Sequence, residues 1–209
     1  MSVTSLSLLQ YSYLLLIMAL IFYDFETTGL NPFTEEIIEY SFYNFTDNTK
    51  LTNYIKPSKA IKQIITRITG ITNEILRDQT HEPNHLVPIF KFIGTEKATF
   101  LVAHNNDGFD KFFLRNLFRP HEEFNALSKQ WKYIDTIPFA KMMMPYQKGY
   151  SLKALCKHFN ITEGGHRAES DTEALRKVYC KLVAMYCYKN HVKYDYVIKN
   201  PQVIYDAIY

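Results

Sequence analysis

The stretch FYDFETTGL, residues 22–30, sets the reading of the fold. It closes a continuous apolar run over 19–25, the pattern of a central strand buried on both faces. At the end of that run Asp24 and Glu26 stand two residues apart. Side chains two apart on a strand leave it on the same face. Adjacent carboxylates repel one another, which costs stability unless a cation neutralises them. Hard oxygen ligands suit Mg²⁺ or Mn²⁺. A pair of solvated charges at a strand end is the bland alternative, and this stretch alone does not choose.

Working outward, residues 37–45 and 50–55 read as two further strands, parted by the turn-prone run 46–49. Short helices are expected over 60–66 and 72–76, with Gly70 between them. Pro83 opens a helix to about residue 93, since proline is tolerated in a first turn. A buried strand follows over 99–104, then a helix over 109–118 and a short strand over 131–135. Helices are expected over 138–143, 151–159 and 169–188, with Ser151 a plausible N-cap. Three strands, then helix and strand alternating, then helices, argue for an α/β domain with one mixed sheet. Residues 191–209, rich in Tyr and Lys, are left as a C-terminal tail of uncertain structure.

Two more clusters stand at element boundaries. In LVAHNNDGFDKFFL (101–114) a buried strand ends at His104 and Asp110 opens an amphipathic helix. Strand ends followed by helix starts are where sites gather in α/β folds. Asp107 is a rival carboxylate with a simple role as a turn residue, and His104 has a simple role in ordering the turn. In GGHRAESDTEAL (164–175) His166 sits on a glycine-softened loop, and Asp171 follows one turn into the long helix. Four carboxylates can hold two metal ions roughly 4 Å apart, the arrangement of two-metal phosphodiester hydrolysis. A histidine titrating near neutrality can take a proton from water.

Composition bounds the rest. With 209 residues and 47% hydrophobic content, one ordinary globular domain can bury a core without disulfides. A net charge of +3 is far from the strongly basic footprint of a protein that coats duplex DNA. Three cysteines without metal-ligand spacing read as reduced thiols, hence an intracellular protein. The apolar stretch before residue 18 lacks the basic region and cleavage site of a secretory signal. Residues 1–17 are therefore expected to be an accessory extension, with a membrane anchor the weaker reading, and the catalytic domain is expected over 18–190.

The order Asp24-x-Glu26, Asp110, then His166-x4-Asp171 resembles the DEDDh exonucleases. These include DNA polymerase proofreading subunits, ribonuclease T and the three-prime repair exonucleases. ITGITNEIL (68–76) and YSLKALCKHFNI (150–161) add softer matches. HNNDGFD (104–110) and HRAESD (166–171) lean toward the repair branch, whereas Phe25 and the two threonines of the first motif depart from it. The resemblance implies a ribonuclease-H-like fold, with a five-stranded mixed sheet flanked by helices, and two Mg²⁺ or Mn²⁺ ions per site. Asp24, Glu26 and Asp171 would bind the first ion, Asp24 and Asp110 the second, and His166 would be the general base. Thr27, Thr28, Gly29 and Leu30 would hold the terminal nucleotide, with Leu30 as an apolar wedge, and Asn105 would bond near the strand end.

Phe109, Tyr146 and Tyr150 are candidates for a stacking platform, although core packing is the simpler role for each. Lys111, Arg115, Lys148 and Arg167 are available to phosphate, with solvated surface the simpler role. The expected activity is 3′→5′ hydrolysis of single-stranded DNA to nucleoside 5′-monophosphates, with the repair relatives implying a homodimer. The same chemistry on RNA is the alternative, since that choice turns on contacts to the 2′-hydroxyl. A non-catalytic nucleic-acid-binding module is the other, and it predicts a missing carboxylate or histidine. All five positions are filled.

Overall fold

The computed structural model describes residues 18–94 and 98–209; the readings made for residues 1–17 lie outside the described residues. Five strands form one mixed sheet: β1 (Met18–Thr27), β2 (Ile37–Asn44), β3 (Thr49–Tyr54), β4 (Ala98–Ala103) and β5 (Lys132–Asp135). Their order across the sheet is β3-β2-β1-β4-β5. β1 pairs antiparallel with β2 and parallel with β4, β2 pairs antiparallel with β3, and β4 pairs parallel with β5. This is the α/β mixed sheet expected from the sequence. β1 lies at its centre, which explains why its first eight residues are almost unbroken in apolar character.

The helices are α1 (Gln63–Thr69), α2 (Asn73–Arg77), α3 (Pro83–Ile93), α4 (Asp110–Phe118), α5 (Glu122–Ser128), α6 (Thr136–Met143), α7 (Leu152–Phe159), α8 (Ala168–Asn190), α9 (Tyr194–Lys199) and α10 (Gln202–Ile208). Leu20 and Phe22 pack on one side of the sheet with Leu175, Val178, Leu182 and Val183 of α8. Ile21, Tyr23 and Phe25 pack on the other with Ile89 and Ile93 of α3 and with Phe113 and Leu117 of α4. A single alternating strand therefore feeds two cores.

Local chemistry sets most boundaries. Ser151 Oγ accepts the Ala154 N–H at 3.2 Å and starts α7, as expected. Gly70 ends α1 in the left-handed conformation at φ 73°. α1 begins at Gln63, three residues later than the sequence suggests. The side-chain amide of Asn73 accepts from the Ile61 N–H at 2.8 Å and donates to the Ile61 carbonyl at 3.2 Å. That pairing keeps residue 61 outside the helix, and Ile61 packs with Ile38, Ile71 and Leu76. Among the described residues no helix is long and apolar enough to cross a membrane. All three cysteines are free thiols; Cys156 and Cys187 are buried and Cys180 is partly so.

Residues 191–209 form α9 and α10, which seal the α8 side of the sheet. Val197, Ile198 and Ile204 join the core there, and Tyr205 meets Phe100 of β4 edge to face at 6.1 Å. Ile204 is fully buried. Ile204→Ala should lower the unfolding free energy by about 2–5 kcal/mol, the usual cost of a buried isoleucine cavity. Urea denaturation checks this, and a loss under about 0.5 kcal/mol, typical of surface positions, would mean α10 is not part of the core.

Candidate active site

Four elements converge at the carboxyl ends of β1 and β4, the crevice where open α/β sheets gather their ligands. Asp24 and Glu26 leave β1 on its α8 side, in line with Leu20 and Phe22. A β-bulge between Glu26 and Thr27 follows at once, the kind of irregularity that re-aims a side chain beside a site. Asp110 is the first residue of α4, and only 2% of it is exposed. Asp171 lies in the first turn of α8, and His166 stands on the loop leading into that helix. All five side chains line one cleft of about 390 Å³, together with His104, Asn105 and Phe109. One ligand atom from each of Glu26, His166 and Asp171 lies within 4.8 Å of the other two.

The cleft is electrostatically unfavourable without a cation. Burial holds the Asp24 carboxyl well above the usual range, and Asp110, Glu26 and Asp171 add to the shift. Burial likewise pushes Glu26 up to about 7, helped by Asp171 and Glu39 and opposed by Arg167. Asp110 and Asp171 are raised for the same leading reason, with the nearby His166 opposing the shift at Asp171. Asp110 Oδ1 is buried and has no hydrogen-bond partner. A buried carboxylate oxygen left bare is costly. Clustered hard oxygens of this kind fit one or more divalent ions such as Mg²⁺ or Mn²⁺.

The loop that delivers Asp110 is tied down from below. The Asp135 carboxylate accepts the N–H of Asn105 at 3.0 Å, of Asp107 at 3.0 Å and of Ile137 at 2.8 Å. The Asn106 amide donates to the carbonyls of Leu101 and Ile134 and accepts from the Tyr23 hydroxyl at 2.5 Å. Asp107 is not part of the cleft lining. Its carboxylate pairs with Lys111 at 2.5 Å and accepts from the Tyr209 hydroxyl at 2.8 Å. His104 does order the turn, through Nδ1 to Thr136 Oγ1 at 2.8 Å. Burial pushes its pKa down to about 4, so the ring is neutral at neutral pH.

Residues 21–179 match the model of the Exonuclease family. The chain belongs to that family. It is 32% identical over 165 residues to a PolC-type DNA polymerase III from Mycoplasma genitalium, covering 76% of this chain and 11% of the polymerase. It is 33% identical over 168 residues to the Thermotoga petrophila enzyme of the same type, covering 78% of this chain and 12% of that one. The chain thus spans about a ninth of the length of these relatives. Among solved structures, E. coli exonuclease I in complex with a dA16 oligonucleotide superimposes with a TM-score of 0.65 at 22% identity, over 79% of this chain and 40% of that one. A zinc-bound form of the E. coli exonuclease I–single-stranded DNA complex gives 0.70 at 22% identity, over 87% of this chain and 43% of that one. The fold is ribonuclease-H-like, and the chain is a DEDDh exonuclease by family.

The expected nucleotide-holding segment sits at the exit of β1 and outside the cleft lining. Thr27 Oγ1 donates to the Gly29 carbonyl at 2.6 Å, and Thr28 Oγ1 donates to Glu35 at 2.5 Å. A Cβ on Gly29 would lie 2.8 Å from the Glu35 side chain, which would have to shift to admit one. Leu30 is 84% exposed. Phe109 packs its ring 4.8 Å from Phe113 and still lines the cleft. Tyr150 donates its hydroxyl to the Met144 carbonyl at 2.6 Å, whereas Tyr146, for which core packing is the simpler expectation, is 96% exposed.

Of the expected phosphate contacts, Lys111 and Arg167 are already paired with acids. Two acids went unread in the sequence. Asp135 follows the usual N-cap pattern, an acid at the start of a helix. Glu39 is a lone charge inside the apolar run Ile37-Ile38-Glu39-Tyr40.

Raised carboxyl pKa values mean that the folded, metal-free protein holds protons which the unfolded chain has released. Stability contributed by these groups is therefore lost as pH rises from the ordinary value of 4.5 to about 7 for Glu26. Asp24→Asn puts a neutral amide where a buried carboxyl must take up a proton. The variant should gain thermal stability over the parent in EDTA, with a gain that grows across this window, by roughly 2–4 °C per kcal/mol of that protonation cost removed. A gain that is flat with pH would mean that the Asp24 carboxyl is not shifted upward in the fold.

Proposed function

We propose that this chain hydrolyses single-stranded DNA from its 3′ end, one nucleotide at a time, as a divalent-metal-dependent exonuclease that releases nucleoside 5′-monophosphates inside the cell. The observation that carries this reading is the convergence of Asp24, Glu26, Asp110, Asp171 and His166 in one cleft, in a member of the Exonuclease family. Asp24, Glu26 and Asp171 would hold one ion, and Asp24 with Asp110 a second. Bound there, such ions lower the pKa of water and stabilise the charge on the leaving oxygen.

The chain's own groups do the rest. His166 is exposed beside the Glu26–Asp171 pair, where its ring nitrogen can take the proton of the attacking water. Leu30, open to solvent, would press against the terminal base. Asn105 and Phe109, both in the cleft lining, would contact the strand end by hydrogen bonding and stacking. Thr27, Thr28 and Gly29 hold the Leu30 turn in shape, so their part in nucleotide binding would fall mainly to the backbone. The oligonucleotide complexes of E. coli exonuclease I and the similarity to polymerase III enzymes favour DNA over RNA.

A gel assay with 5′-labelled single-stranded DNA and matched RNA tests this directly. A ladder shortened from the 3′ end is expected with Mg²⁺ and none with EDTA. Asp24→Asn should abolish the ladder, and His166→Ala should slow it by about 10²–10⁴-fold. Faster loss of the RNA would transfer the reading to an exoribonuclease. No cleavage of either strand by folded protein would favour the binding module.

A further inference from the structure

Glu39 lies inside the sheet, opposite Glu26 in the β1–β2 register and 1% exposed, yet the proposed chemistry has no use for it as an ion ligand. Its carboxylate is already committed. Oε1 accepts from Arg167 Nη2 at 3.0 Å and from Arg167 Nε at 3.2 Å, while Oε2 accepts from the Ala168 backbone N–H at 3.1 Å. One acid on β2 therefore grips the side chain immediately after His166 and the first amide of α8. Arg167 reaches further, donating from Nη2 to the Tyr54 hydroxyl, with its guanidinium carbon 5.5 Å from that ring's centroid. These contacts tie the loop to β2 and to the edge strand β3, more than a hundred residues away in sequence.

The loop needs such a tie. Gly165 and His166 both adopt left-handed backbone conformations, at φ 75° and 59°. Glycine does this freely, but for histidine it is a strained state that its surroundings must hold. On the other side the backbone abuts Asp171 so closely that a Cβ on Gly164 would lie 2.0 Å from Asp171 Oδ1. His166 itself is exposed. Its place beside the Glu26–Asp171 pair is thus set by what holds the residues around it.

We propose that Glu39 and Arg167 form a positioning clamp that holds His166 over the Glu26–Asp171 pair. The clamp rests on the reading of His166 as proton acceptor given above. It touches neither water nor substrate, and acts through the loop backbone. With Nε and Nη2 committed in this way, Arg167 serves the loop.

The test uses the full chain with Mg²⁺ and single-stranded DNA. Glu39→Gln keeps the shape of the side chain but removes the charge that grips Arg167. It should lower kcat by about 10–100-fold, the scale of a displaced proton acceptor, with KM within about twofold. Arg167→Lys, which keeps the charge and loses the two-pronged grip, should shift kcat in the same direction. If the clamp works through His166, adding Glu39→Gln to His166→Ala should cost no more than about a further twofold, because the effects of groups acting as a unit do not multiply.

Wild-type kcat in both single variants overturns the clamp while leaving the exonuclease reading intact. So does a full multiplication of the two losses in the double variant. Should Glu39→Gln fail to fold by circular dichroism, Arg167→Lys alone decides, on its kcat-to-KM split. An inactive wild-type chain overturns the underlying reading, and the clamp falls with it.

Discussion

The period of two along β1 governs both the core and the cleft. Because β1 is central, with β2 and β4 beside it and packed helices on both faces, its side chains have no choice of neighbour. Ile21, Tyr23 and Phe25 belong to the α3–α4 side, and Leu20 and Phe22 to the α8 side. A slip of one residue would turn every one of them over. The hydrophobic packing that forbids this slip is what sends Asp24 and Glu26 toward α8, where Asp171 meets them. The carboxylates thus inherit their positions from apolar neighbours that take no part in chemistry.

That arrangement carries an electrostatic cost. Like charges at the end of a buried strand raise one another's proton affinity, as the upward shifts of Asp24, Glu26, Asp110 and Asp171 express. The fold tolerates it because the neighbouring packing and hydrogen bonding are well satisfied. Asn106, fully buried, satisfies its amide with two carbonyls and a tyrosine hydroxyl. Asp110 Oδ1, a cleft carboxylate oxygen, has no such partner. Neutralisation by a cation is the compensation that the chemistry of these donors admits.

Buried acids in this molecule divide by what their oxygens already hold. Asp135 accepts three backbone N–H groups, and Glu39 accepts an amide and a guanidinium. Both are structural anchors beneath the two loops that carry Asp110 and His166. Asp110 keeps an oxygen free and stands in the cleft. Acidity and burial are common to all three, and hydrogen-bond commitment separates them. The same measure sets Asp107, paired with Lys111 and Tyr209, apart from Asp110 only three residues away.

The sheet, its mixed direction and most helices were legible in the amino-acid sequence, because alternation, apolar runs and a cap such as Ser151 are local signals. The five residues of the cleft were legible too, since each stands at an element boundary in a motif order shared with a family. Tertiary structure alone decided three further things. It held Ile61 out of α1 through the distant amide of Asn73. It drew residues 191–209 into the core, because their few apolar side chains match a face exposed by α8 and β4. It also gave Glu39 and Asp135 their partners, from segments up to 129 residues away. A strand or a cap can be read from its neighbours in the chain, whereas a buried acid's role depends on which donors the folded chain brings to it.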